Sequence, residues 1–286
     1  MIEELVAAIE FLSSRQGRNI RLFMAKQNAD YLQFAEDISE RAVSLAGGIE
    51  LAAEAYNQVC ADILREQIRY SRTGTYFLQT AQQANDSIYS QPSMREYAIG
   101  LLLSYIFWPN HYKMWKFYEK HIRDIPVTRV LEIGAGHGLF SAHMVNKSPE
   151  SQLDIIDISK LSVILSCDMM RAHGALSDNV KFVVGDFLSV DLSHQYDFLI
   201  MGEVLEHVDK APEFLRRAYD ALRSGGKAYL STCSNCPALD HVWHFHSVNE
   251  IRRMIDDAGF MVYADLILPV SSFPDTTNYC ALLEKP

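Results

Sequence analysis

Hydrophobic and polar positions divide the chain into two stretches with different periods. Up to about residue 124, apolar side chains recur at spacings of three and four, which predicts helices over residues 2–12, 19–46 and 50–70. Gly47-Gly48 and the segment 71–74 punctuate them. Gln91-Pro92-Ser93 opens a further helix with proline near its first turn, so four to six helices are expected. Within 19–46, Ile20, Phe23, Met24, Tyr31, Phe34, Ala35 and Ile38 mark one apolar face, which reads as packing surface. From Thr128 onward the pattern becomes short apolar runs at 129–133, 153–156, 180–184, 198–201, 227–230, 260–268 and 279–283. Helical patterns at 138–146, 160–172, 211–222 and 248–258 lie between most of them, the signature of right-handed crossovers and a mainly parallel sheet. The last two runs are joined by a loop rich in Pro, Ser and Thr and should pair antiparallel at one sheet edge. An α/β protein follows, with a seven-stranded, mostly parallel sheet carrying one antiparallel edge strand over 119–286 and an all-helical domain over 1–118.

Composition removes several alternatives. The 286 residues, 49% hydrophobic and 22% charged, bury a large core and leave no basis for a disordered or collagen-like chain. A net charge of −10 repels phosphate backbones and anionic membranes, so nucleic acid and membrane are not expected partners. The most apolar stretch, 97–108, is far shorter than the ~20 residues that cross a bilayer. Five cysteines cannot all pair internally and no cleavable leader pattern opens the sequence, which fits a reduced, cytoplasmic protein.

The first strand runs into Gly134-Ala135-Gly136-His137-Gly138 and then an amphipathic helix. At the carboxyl end of a parallel strand, such a turn lets backbone approach a ligand while the next helix offers free N–H groups. The dinucleotide fingerprint needs its third glycine at position 139, where this chain has Leu139, so the spacing argues against NAD. Three further segments stand in register. Leu153-Asp154-Ile155-Ile156-Asp157 ends the second strand with a carboxylate 21 positions after Gly136, Val183-Val184-Gly185-Asp186-Phe187 ends the third, and 196–208 holds Gly202-Glu203-Val204-Leu205-Glu206-His207-Val208.

This ordered set, with Glu132 at the end of the first strand and Ser224-Gly225-Gly226 before the fifth, resembles the class I S-adenosylmethionine-dependent methyltransferases, over about residues 110–284. The resemblance implies a Rossmann-like fold, S-adenosylmethionine as cofactor and S-adenosylhomocysteine as product. It also implies cofactor-binding roles for Glu132, Gly134, Gly136, Gly138, Asp157 with Ile158, Asp186, Phe187 and Glu203. Of these, Asp157 would take the ribose and Asp186 with Phe187 the adenine. Methyl transfer to a hydroxyl or amine needs a base, and His is the commonest near neutral pH. His241 is the first candidate, with Glu203, His207 and His244 as the others. Glu206, three positions from Glu203, can help hold a substrate amine if the two share a helical face.

Two further segments bear on the acceptor. The densest aromatic run, 105–115, would set Trp108, His111 and Tyr112 over the cofactor mouth, with Trp108 and His111 toward substrate and Tyr112 toward the cofactor. After the fifth strand, Trp243 flanks His241, His244 and His246. With Cys233 and Cys236 these histidines match no standard zinc spacing, so pocket lining and no metal is the expectation. The helical part is expected to shape the acceptor pocket and a homodimer interface. The reading is a methyltransferase acting on N or O of a small-molecule metabolite, in specialised biosynthesis. The alternatives are a protein or carrier-bound acceptor, or a catalytically silent partner subunit that binds the cofactor.

Overall fold

The computed structural model describes residues 1–286 apart from Ser193, His194, Ser272 and Pro274. Helices α1 (Ile2–Leu12), α2 (Ser14–Met24), α3 (Ala29–Ala46), α4 (Ile49–Thr73), α5 (Ala81–Ala84), α6 (Met94–Phe107) and α7 (Pro109–Ile122) come first. The helix expected over 19–46 is two helices. The chain leaves α2 at Ala25, and the Asn28 side chain accepts from the Tyr31 backbone N–H at 3.0 Å to cap α3. Seven helices therefore replace the expected four to six. A π-helical turn, Asn85–Tyr89, follows α5, which opens on a capping box between Thr80 and Gln83. Tyr31, Ile38, Tyr56, Ile99, Leu102 and Leu103 are fully buried, so the helical half has a core that joins the one on the adjacent face of the sheet.

The sheet strands are β1 (Arg129–Ile133), β2 (Gln152–Asp157), β3 (Val180–Val184), β4 (Tyr196–Gly202), β5 (Leu222–Ser234), β6 (Met261–Pro269) and β7 (Thr277–Glu284). Their order is β3-β2-β1-β4-β5-β7-β6, with β7 antiparallel to both neighbours and all other pairings parallel. The antiparallel pair expected from the last two apolar runs thus closes one edge, with β6 outermost. Helices α8 (Leu139–Lys147), α9 (Lys160–Ala172), α10 (Ala211–Ala221) and α11 (Val248–Asp257) supply the crossovers. Strand β4 is buried from Tyr196 to Met201, as a central parallel strand should be.

The halves are clasped by specific contacts. Arg95 of α6 donates to the Leu45 carbonyl at 3.0 Å and pairs with Asp168 of α9 at 3.2 Å. The Tyr118 hydroxyl of α7 donates to the Phe140 carbonyl at 3.1 Å. Asn110 donates to the Leu268 carbonyl and the Asn278 side chain, both at 3.0 Å. Among the described residues no helix is long and apolar enough to cross a membrane.

Candidate active site

A cavity of 1430 Å³ opens at the carboxyl ends of β1, β2 and β4 and continues among α2, α4, α6 and the start of α7. Gly134, Gly136 and Gly138 line or border it with φ of +74°, +51° and +75°, a region that glycine enters without steric cost. A Cβ at Gly134 would lie 2.8 Å from the Val204 side chain and one at Gly138 2.8 Å from the Ser166 Cα, while Gly136 has open space above it. The turn is therefore a cradle whose backbone is open to the cavity at Gly136. At the end of β2, Asp157 accepts from the Gly136 N–H at 3.2 Å and from the Ser159 N–H at 2.8 Å. Burial pushes its carboxyl up to about 6 against those two hydrogen bonds. Further lone pairs of that carboxylate remain for a ligand. Ile158, Asp186 and Phe187 also line the cavity. Asp186 caps its own loop through the Leu188 N–H at 2.9 Å, and Phe187 packs on Phe214.

Glu203 follows β4 at a φ of +51°, unusual for a side chain with a Cβ, and its backbone N–H is held by Ser231 of β5. Its Oε1 is buried without a hydrogen-bond partner. Burial raises the Glu203 carboxyl above the ordinary range, opposed by the Ser231 hydroxyl. Glu206 is buried beside it and accepts from Thr232 Oγ1 at 2.6 Å, and burial together with the Glu203 charge raises it as well. A buried, unpartnered carboxylate favours a cation or a group that gives up a proton.

Of the three histidines expected as bases, His241 and His207 line this cavity and His244 does not. His241 Nδ1 lies 2.6 Å from the Cys236 carbonyl, so Nδ1 carries the proton and Nε2 keeps its lone pair. Burial, then His207, lowers His241 to about 4, so it is neutral over the physiological range. His207 Nδ1 is shared by the Asp240 carbonyl and the Tyr89 hydroxyl, both at 3.0 Å. His244 turns away, with Nε2 2.9 Å from Asn235 Oδ1 and its ring stacked on Tyr76. Trp243 also stays outside the cavity and packs near Phe245.

Cys233, Cys236 and His241 place ligand-type atoms within 4.8 Å of one another, as do Glu206, His207 and His241, whereas His244 and His246 join neither group. Several of these donors are already engaged: Cys233 toward Glu206, His241 with the Cys236 carbonyl, His207 with Asp240.

Two further expected residues stand elsewhere. Tyr112 does not reach the cavity; its ring packs against Phe23, Tyr31 and Phe34. The cause is local. The chain bends at Trp108, Pro109 starts α7, and one helical step of about 100° separates Tyr112 from the cavity-lining His111. Glu132 lies beneath the glycine turn and receives the Ser141 hydroxyl, bracing β1 to α8 without lining the cavity. Trp108 and His111 do line it. Trp108 Nε1 donates to the Tyr56 hydroxyl at 3.0 Å, and burial lowers His111 to about 4.

Tyr89, Tyr97, Tyr105 and Asp240 are cavity residues that the sequence did not single out. Tyr97 and Tyr89 donate to the two Asp240 oxygens at 2.9 and 3.2 Å, tying the helical half to the loop that carries His241. A buried Asp next to His241 was the one available signal.

The glycine cradle, the Asp157 lone pairs and the orphaned Glu203 oxygen together fit S-adenosylmethionine, a nucleoside bearing a positively charged sulfonium. Residues 131–228 match the family described as a methyltransferase domain, and the proteins the chain is similar to are methyltransferases. Among curated relatives, malonyl-[acyl-carrier protein] O-methyltransferase 1 of Ilyobacter polytropus is 28% identical over 106 residues, covering 37% of this chain and 38% of that protein. A ubiquinone/menaquinone biosynthesis C-methyltransferase of Dinoroseobacter shibae is 23% identical over 164 residues, covering 54% of this chain and 64% of that protein. Both matches thus span less than two thirds of the relative. The N-methyltransferase NodS of Bradyrhizobium japonicum, solved with S-adenosylhomocysteine, superposes with a TM-score of 0.54 at 14% identity over 73% of this chain and all of that one. At that identity the likeness establishes the fold.

Proposed function

We propose that the protein transfers a methyl group from S-adenosylmethionine to a nitrogen or oxygen of a small metabolite in specialised biosynthesis. We place it in the cytoplasm as a homodimer. The observation that carries this reading is that the glycine cradle, Asp157 and the unpartnered Glu203 carboxylate open onto one cavity large enough for two ligands. Bound S-adenosylmethionine supplies an electrophilic methyl group on a sulfonium sulfur. The chain's residues hold and orient. Gly134, Gly136 and Gly138 give backbone access, Asp157 accepts the ribose hydroxyls, and Asp186 with Phe187 and Ile158 borders the adenine. Glu203 takes the acceptor's proton, and His241 Nε2 is the second candidate base. Positioning for in-line displacement contributes on the order of 7 to 11 kcal/mol to such reactions.

The helical residues 1–118 would act as the acceptor-binding part and residues 119–286 as the transfer domain. A carrier-bound acceptor is the second reading, favoured by the similarity to an enzyme named for an acyl-carrier-protein substrate. The test is transfer of labelled methyl into a host extract, followed by separation into small-molecule, protein and nucleic-acid fractions. Label among small molecules is expected, and label in protein would favour the carrier. No label from protein that binds S-adenosylhomocysteine, in extracts of several hosts, would overturn the enzymatic reading in favour of a silent partner subunit.

A further inference from the structure

The cavity's 1430 Å³ exceeds the roughly 300–1,000 Å³ of an ordinary single-ligand site. The cofactor-binding residues lie only at its sheet end. The remainder runs between two helices whose contributions are regular. From α2 and the residues just after it come Arg15, Asn19, Leu22 and Lys26, spaced by four, three and four, which is one helical face. From α4, Ile63 and Leu64 stand across the opening. Leu22 is 58% exposed and Leu64 42% exposed although both line the cavity, so apolar wall continues out to solvent here. Arg15, in the first turn of α2, and Lys26, just past its end, stand at the two ends of this wall. Among the described residues neither forms an ion pair, whereas Arg21, outside the lining, is paired with Glu3 and Glu10. Two free cations flanking an apolar opening, on a chain of net charge −10, mark a local preference for an anion.

We propose that the acceptor is an elongated amphiphile. Its nucleophilic head reaches Glu203, its apolar body lies between α2 and α4, and it ends in an anionic group, carboxylate or phosphate, at one of the two cations, Arg15 or Lys26, that flank the opening. The proposal rests on the methyltransferase reading only for the role of the head; the arm itself is a binding site that can be tested alone.

The experiment is calorimetric titration of the protein, with and without saturating S-adenosylhomocysteine, using dodecanoate, dodecyl phosphate and dodecanol below their micelle-forming concentrations. Both anions are expected to bind at least tenfold more tightly than dodecanol, and the tighter of the two identifies the terminal group. Arg15→Ala combined with Lys26→Ala should erase that advantage. Leu22→Asp combined with Leu64→Asp should weaken all three chains more than tenfold, with S-adenosylhomocysteine affinity unchanged. Equal binding of the three chains, no binding of any, or variants that change nothing would overturn the proposal. Failure of S-adenosylhomocysteine to bind would count against the methyltransferase reading instead, while the chain titrations still decide the arm.

Discussion

Asp157 and Glu203 are the residues on which the proposed chemistry turns, and both are carboxylates held in a cavity that disfavours their charge. Removing Asp157 deletes charge-assisted hydrogen bonds worth roughly 1.5 to 3 kcal/mol, so Asp157→Ala should weaken S-adenosylhomocysteine about ten- to a hundredfold by calorimetry. The pH dependence has a definite sign. The acceptor form is the ionised one, and its pKa lies at about 6. Wild-type affinity should therefore be full above that value and fall as pH drops through it, whereas Asp157→Ala should show no such limb. Glu203→Gln keeps the shape but cannot take a proton. It should lower kcat about a hundredfold or more, within the range for a lost general base, with the affinity for S-adenosylhomocysteine, whose sulfur carries no charge, altered little. A kcat within twofold of wild type would pass the role to His241. His241, neutral down to about pH 4, would then leave turnover flat through the range where an ordinary histidine titrates.

At the scale of elements, the wall of the cavity depends on how closely α4 and α6 approach. Gly100 of α6 makes this possible, since a Cβ there would lie 2.6 Å from the Ala55 carbonyl oxygen and 2.5 Å from Val59. Gly100→Val should cost about 1–3 kcal/mol of stability by overpacking, measurable as a lower midpoint in urea, and should weaken acceptor binding more than cofactor binding. All seven strands are legible in the sequence as short apolar runs; β1, β2 and β4 are parallel strands with largely buried side chains, each ending at a glycine or an acid, where the proposed cofactor residues stand. The helical half is less legible. Met24 and Tyr31, seven positions apart, keep one helical phase across the polar Gln27 and Asn28, so the break capped by Asn28 is hidden within a single stripe. The π-helical turn ending at Tyr89 carries no periodic signal at all. Tyr112 was legible as an aromatic but not as to direction, because the bend at Trp108 sets the phase of α7. His244 likewise follows from Asn235, whose left-handed backbone at a φ of +47° redirects the loop.

For the whole molecule, the charge balance and the large cavity point to small ligands over polymers. Surface apolar groups on the helical half are the remaining unmatched feature: Phe11 is 90% exposed, and Phe77, Leu12 and Leu51 are largely so. A dimer that covers part of this surface is the proposed assembly. Light scattering at micromolar concentration should give twice the 32.5 kDa chain mass, and a monomer would remove the dimer from the proposal.

The placement of the three tryptophans has an optical consequence. Only Trp108 stands in the cavity wall, its indole N–H bonded to Tyr56; Trp115 is buried against Phe34, and Trp243 lies outside. The chain therefore carries a built-in fluorophore at the junction of cofactor and acceptor. Ligand titrations should shift its emission, Trp108→Phe should silence that response, and Trp243→Phe should leave it intact, so occupancy can be followed in real time without a labelled substrate.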